Sequence, residues 1–213
     1  PPPPPPLFSS LRRHTRLGRW SRGLGDVYKR QEEGEQGHPA ESLPPLTWVG
    51  EKLQTAWLEK MLAGQLSYNT RPWKRGRMAA FPAYARVLAH GVAAQHGVSI
   101  KPDTNPSSAP ALVDLGKRLT EQEQGFHCLQ CHGLPRKPPE APFESRGVDF
   151  QHVRDRLRAN FYQRWVGNPI QFDSAVPMPR FSPDGKSTPV KAILDGDARQ
   201  QFDAIWEYLN TVK

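Results

Sequence analysis

Cysteine is scarce in this chain: the 213 residues hold two, both within Cys128-Leu129-Gln130-Cys131-His132. Two thiols at that spacing, followed at once by histidine, form the attachment signature of a c-type haem. Each thiol adds across one vinyl group of the porphyrin, and the adjacent imidazole is placed to bind the iron. No other stretch constrains the fold as tightly, because a chain carrying a covalent macrocycle must wrap an apolar pocket around it. Two other readings of the pair stay open. Tetrahedral zinc needs four N or S ligands, and beyond Cys128, Cys131 and His132 the nearby candidates are His127 and His152. His127 is too close in sequence to close a separate corner comfortably. A redox dithiol or plain disulfide is the other reading, but a thioredoxin-like pair sits between a strand and a helix, and no buried strand pattern precedes this one.

A haem iron takes a sixth ligand, and Val176-Pro177-Met178-Pro179-Arg180-Phe181 offers one. Flanking prolines fix φ and remove backbone donors, so Met178 is expected on a stiff extended loop rather than inside a helix. There it can present its thioether. His/Met ligation belongs to soluble electron-carrying cytochromes and raises the reduction potential. Met178 could instead be an ordinary core methionine, and His152 is the alternative ligand.

With these residues in hand, positions 110–213 resemble a class I cytochrome c domain: a helix entering the Cys-x-x-Cys-His site, short middle helices, a methionine loop and a closing helix. The resemblance covers about half the chain and implies an all-α fold built around one haem c, with Cys128 and Cys131 as thioether links and His132 and Met178 as axial ligands. It also implies that Gly116 lets the closing helix cross tightly, with Trp206 or Tyr208 as the aromatic partner.

Pro110 is well placed to open the entering helix, with Leu112, Leu115, Leu119 and Phe126 on one face. Thr120-x-x-Glu123 matches a capping box but reads better as helix interior. Asp197 is expected to cap the closing helix, whose buried stripe is Phe202, Ile205, Trp206 and Leu209. Phe150, Val153, Leu157, Phe161 and Trp165 recur every three or four residues and are expected to wall the ring. Arg136 and Lys137 lie on a Pro-rich loop that reads as solvated rather than as a contact to propionates or a partner.

The first 31 residues fit no fold. Six prolines lead into seven bases and one acid, Asp26, so this block carries +6 of the formal +8 and leaves +2 for the rest. The high overall pI therefore says nothing about nucleic acid or an anionic membrane. Asp26-Val27-Tyr28-Lys29-Arg30-Gln31 resembles the translation of a transposon end used in sequencing libraries, so 1–31 is read as a non-native or disordered segment. No run approaches a membrane span, and no export signal is visible. Haem attachment of this kind implies a periplasmic or other extracytoplasmic site, and the missing signal is read as truncation.

Residues 32–100 echo the later part of the chain. Lys52 to Leu62 aligns with Arg156 to Val166 at a constant offset, matching leucine, aromatic and bulky apolar positions. Met78-Ala79-Ala80-Phe81 likewise answers Met178-Pro179-Arg180-Phe181. The echo reads as a partial second cytochrome c-like domain without an attachment motif, with Met78 a haem ligand only where an upstream motif supplies a second haem. Thr55 is the expected N-cap of its first helix and Gly64 the stop. Val87 to Gly97 is a closing helix carrying His90 and His96 as ordinary helix histidines. Residues 101–110 form the linker to the domain at 111–213.

The resulting expectation is an electron carrier without substrate chemistry, serving redox partner proteins and belonging either to itself or to a larger periplasmic oxidoreductase. The alternatives are a catalytic or sensing haem protein, such as a di-haem peroxidase, which requires two attachment motifs, and a zinc- or disulfide-stabilised interaction module.

Overall fold

The computed structural model describes residues 46–72, 78–103, 110–121, 123, 125–139, 146–173 and 176–213. The basic arm at 1–31 and most of the expected linker lie outside them. Among the described residues there are seven α-helices, short 3₁₀ turns and no sheet, so the all-α expectation holds. The helices are α1 (Val49–Lys52), α2 (Thr55–Leu62), α3 (Ala85–Gln95), α4 (Pro110–Thr120), α5 (Val153–Arg156), α6 (Ala159–Gly167) and α7 (Ala198–Leu209). None is long and apolar enough to cross a membrane.

The principal contact is α4 against α7. Proline opens α4, where its missing N–H costs nothing. Asp197 caps α7 by accepting from Gln200 N at 2.8 Å, as its sequence position suggests. The two helices meet at Gly116. A Cβ there would overlap the Ala204 carbonyl oxygen and stand 2.9 Å from Tyr208 Cβ, so only glycine allows this approach. Of the two aromatics expected at the crossing, Tyr208 is the one among the atoms nearest Gly116. Leu119, Phe126, Phe150, Val153, Tyr162, Phe202, Ile205 and Trp206 fill the core behind it. Phe126 reaches that core from beyond the end of α4, and Thr120 is the helix's last residue rather than interior, its Oγ1 donating to Lys117 O at 2.7 Å.

The sequence echo is a structural repeat. A four-residue helix, a leucine in an isolated bridge and a longer helix recur as α1–Leu53–α2 and α5–Leu157–α6. The two copies pair with each other about a local two-fold. Gln54 N donates to Arg156 O at 2.9 Å and Arg158 N to Lys52 O at 3.0 Å. Gln54 Nε2 donates to Leu157 O at 3.1 Å and Arg158 Nε to Leu53 O at 3.0 Å, so side-chain bonds are exchanged in the same way. Leu157 packs on both cores, the second being Leu53, Trp57, Leu58 and Ala89.

Arg158 ties the junction. Its side chain is 4% exposed and also donates to Thr55 Oγ1 and Ser99 O at 2.8 Å and to Asp103 Oδ1 at 3.2 Å. Asp103 Oδ2 in turn accepts from Ala159 N at 3.1 Å. Thr55 is therefore not the N-cap that its sequence context suggests. Gln54 holds that position, and the Thr55 hydroxyl is engaged by Arg158. Gly64 and Gly97 follow α2 and α3 with φ of 70° and 64°, the left-handed geometry that ends a helix.

Candidate functional site

Beyond α4 the chain doubles back on itself. Phe126 N donates to Leu119 O at 2.7 Å and His127 N to Glu121 O at 3.2 Å. His127 adopts a left-handed φ of 59°, and a 3₁₀ turn over Cys128–Gln130 follows. Cys131 N and His132 N both donate to Cys128 O, at 3.1 and 2.9 Å. The two thiols and the imidazole are thus presented by one tight turn. Both cysteines are free and half-buried. Burial pushes the Cys128 thiol up to about 12 and raises Cys131 as well. A redox dithiol is activated by a low-pKa thiolate, whereas burial here favours the neutral thiols. Among the described residues no three His, Cys, Asp or Glu side chains converge as a metal-ligand cluster.

His132 is set by its surroundings. Its Nδ1 lies 2.8 Å from Val148 O. A carbonyl can only accept, so Nδ1 carries the proton and Nε2 keeps a free lone pair. Burial lowers the imidazole's pKa against the opposing effects of Val148 and Asp149, which favours the neutral form that a metal ligand requires. The ring stacks on Phe150 with centroids 5.0 Å apart. On another side it lies against Gly147, where a Cβ would stand 2.5 Å from Nδ1. That loop is pinned to the motif by Gly147 N to Cys131 O at 2.8 Å and Phe150 N to Gly133 O at 2.9 Å.

Met178 lies on an irregular loop, as its prolines require, and packs against the same core as Cys128. Trp165 Nε1 donates to its sulfur at 3.2 Å, which orients the thioether. Phe126 contacts Phe181 at 4.8 Å between centroids, and Tyr162 contacts Trp206 at 4.8 Å with its hydroxyl donating to Phe202 O at 3.1 Å. The residues expected to wall a ring divide into two groups. Phe150 and Val153 belong to the main core and Trp165 packs against it, while Phe161 groups with Trp165 and Phe172. Leu157 sits between them in the bridge to Leu53.

The remaining candidates lie elsewhere. His152 stacks on Tyr68 at 4.1 Å. Met78 is 52% exposed. Arg136 and Lys137 are exposed in a tight turn closed by the Leu134–Lys137 bridge, in keeping with a solvated loop. Arg180 holds its own loop by donating to Pro183 O. Sequence reasoning missed the Trp165 donor, the Val148 acceptor and the arginine at 158. The first left a signal in an indole spaced as part of an apolar stripe, whereas a backbone acceptor leaves none.

A half-buried thiol pair on one turn, a neutral imidazole with Nε2 free and a thioether held by an indole form a donor set that fits a covalently attached haem. No family model, curated protein or solved structure matches the chain.

Proposed function

We propose that this protein is a c-type cytochrome that carries single electrons between partner proteins outside the cytoplasm, using one haem c in the C-terminal half. The observation that carries the reading is the His132 setting: an imidazole held by Val148 with Nε2 unengaged, on the turn that also bears both thiols. Cys128 and Cys131 would hold the haem through thioether bonds, and His132 and Met178 would bind its iron. When bound, the haem iron supplies a one-electron ferric/ferrous couple, with the electron arriving from one protein and leaving to another.

The chain's own residues do the rest. Val148 and Phe150 fix the plane and tautomer of the imidazole, and Trp165 holds the sulfur of Met178. The aromatic core would exclude water from the site, an environment that favours the less charged ferrous state of a bound haem. Met78 has the counterpart position in the N-terminal repeat and would serve as a ligand only to a second haem. The protein itself would make and break no substrate bonds, whether it acts alone or as part of a larger oxidoreductase.

The test is a potentiometric titration of protein matured with a haem-ligation system, followed in the visible spectrum. A one-electron transition in a reduced form that does not bind carbon monoxide at neutral pH is the expected result. Ready carbon monoxide binding would move the assignment to a catalytic or sensing haem protein with an open coordination position. A colourless product would leave the interaction-module reading.

A further inference from the structure

Across the junction of the two repeats, each presents a cation to an aromatic ring of the other. At the offset of the sequence echo Lys52 answers Arg156 and Trp57 answers Phe161, and the contacts are exchanged to match. Lys52 Nζ lies 5.5 Å from the Phe161 ring centroid, and the Arg156 guanidinium lies 5.4 Å from that of Trp57. The reach of Lys52 is fixed by its backbone, because its carbonyl accepts from Arg158 N at 3.0 Å where α6 begins.

What the two-fold does not repeat is where these contacts lead. Lys52 Nζ lies nearer still to Trp165, 4.7 Å from its ring centroid, and Trp165 stands where the N-terminal repeat has Met61. Its indole N–H is the donor that meets the Met178 sulfur at 3.2 Å. In the other direction Trp57 Nε1 donates to Tyr68 Oη at 2.9 Å, and Met78 is left exposed. On the Lys52 side, then, a cation of one repeat stands on the ring that holds a thioether of the other. The same ring lies 5.9 Å from Phe172, which Trp48 of the N-terminal repeat meets edge-on at 5.2 Å. Indole is the side-chain ring that attracts a cation most strongly, and desolvation strengthens the attraction. An indole held in this way keeps its N–H in one direction.

We propose that Lys52 is a positioning residue for the sixth ligand: by standing on the indole of Trp165 it keeps that N–H aimed at the Met178 sulfur, so the N-terminal repeat sets how firmly the thioether is held at the iron. This rests on the haem reading above. It gives a repeat without an attachment motif of its own a part in the redox centre of the other. Burial, then the charges of Arg156 and Arg71, push the Lys52 ammonium down to about 7, with Asp173 opposing them, so the test belongs at about pH 6, where that group is mostly protonated.

The experiment measures, on matured ferric protein, the azide concentration that half-displaces Met178, read as loss of the iron–methionine band near the red edge of the visible spectrum. Lys52→Met and Lys52→Gln are expected to lower it about two- to fivefold. Lys52→Arg, which restores the cation, and Lys60→Met, at an exposed position on α2, should stay close to wild type. In a Trp165→Phe background Lys52→Met should add nothing, because the cation then has no indole N–H to aim. Unchanged displacement in both Lys52→Met and Lys52→Gln, or an equal further drop in the Trp165→Phe background, overturns the proposal and leaves the haem reading intact. A coloured wild type without the band overturns Met178 as the ligand and the proposal with it, and a colourless wild type overturns the haem reading as well.

Discussion

One backbone oxygen, that of Val148, determines which nitrogen of His132 is free, and one glycine determines how closely that ring can be approached. Gly147→Val is therefore expected to displace the imidazole. The matured variant should carry less haem per chain than wild type, measured as haem absorbance against protein concentration. Met178 is held by the Trp165 indole. Trp165→Phe removes the donor but keeps most of the apolar area, and should weaken the methionine loop by about 0.5–1.5 kcal/mol. Because a loosened thioether yields its place to external ligands, the variant should bind carbon monoxide more readily than wild type. Equal binding in the two would show that the indole contact does not hold the sulfur.

At the level of helices, Gly116→Val drives a side chain into the Ala204 carbonyl and Tyr208, where α4 crosses α7. A loss of about 1–3 kcal/mol in urea unfolding is expected for such overpacking. Asp197→Ala, which removes the α7 cap, should cost about 1 kcal/mol. The cap was legible in the sequence because it is local: a capping aspartate precedes an apolar stripe. The close approach at Gly116 was expected only through the resemblance to class I cytochromes c, since a contact between helices far apart in the chain leaves no local signal. The break between α5 and α6 was not legible. The spacing of Phe150, Val153, Leu157, Phe161 and Trp165 runs on without interruption, yet Leu157 leaves the helix to pair with Leu53. Tertiary hydrogen bonding ends the helix there, and periodicity carries no trace of it. Thr55 fails as an expected cap for the same reason: a hydroxyl that suits a helix end was taken by Arg158 from the other repeat.

At the level of the whole molecule, the repeats are joined by a two-fold exchange of backbone and side-chain bonds, with Arg158 and Asp103 at its centre. Arg158→Ala leaves the Asp103 carboxylate, the Thr55 hydroxyl and the Leu53 and Ser99 carbonyls without that donor, and should destabilise the fold by about 3–5 kcal/mol. Thermal or urea unfolding checks this, and a loss below about 1 kcal/mol would mean that water replaces the guanidinium. The internal echo was readable as sequence, but its meaning was not. Matching residues suggested two similar halves, and only the structure shows that corresponding residues of the halves bind one another. The central claim, that Cys128 and Cys131 bear a covalent haem beside His132, is tested most directly by the intact mass of the matured chain under denaturing conditions. The account predicts a mass greater than that of the polypeptide by one haem in wild type, and by none in the Cys128→Ser/Cys131→Ser variant. A wild-type mass equal to that of the bare chain would contradict it.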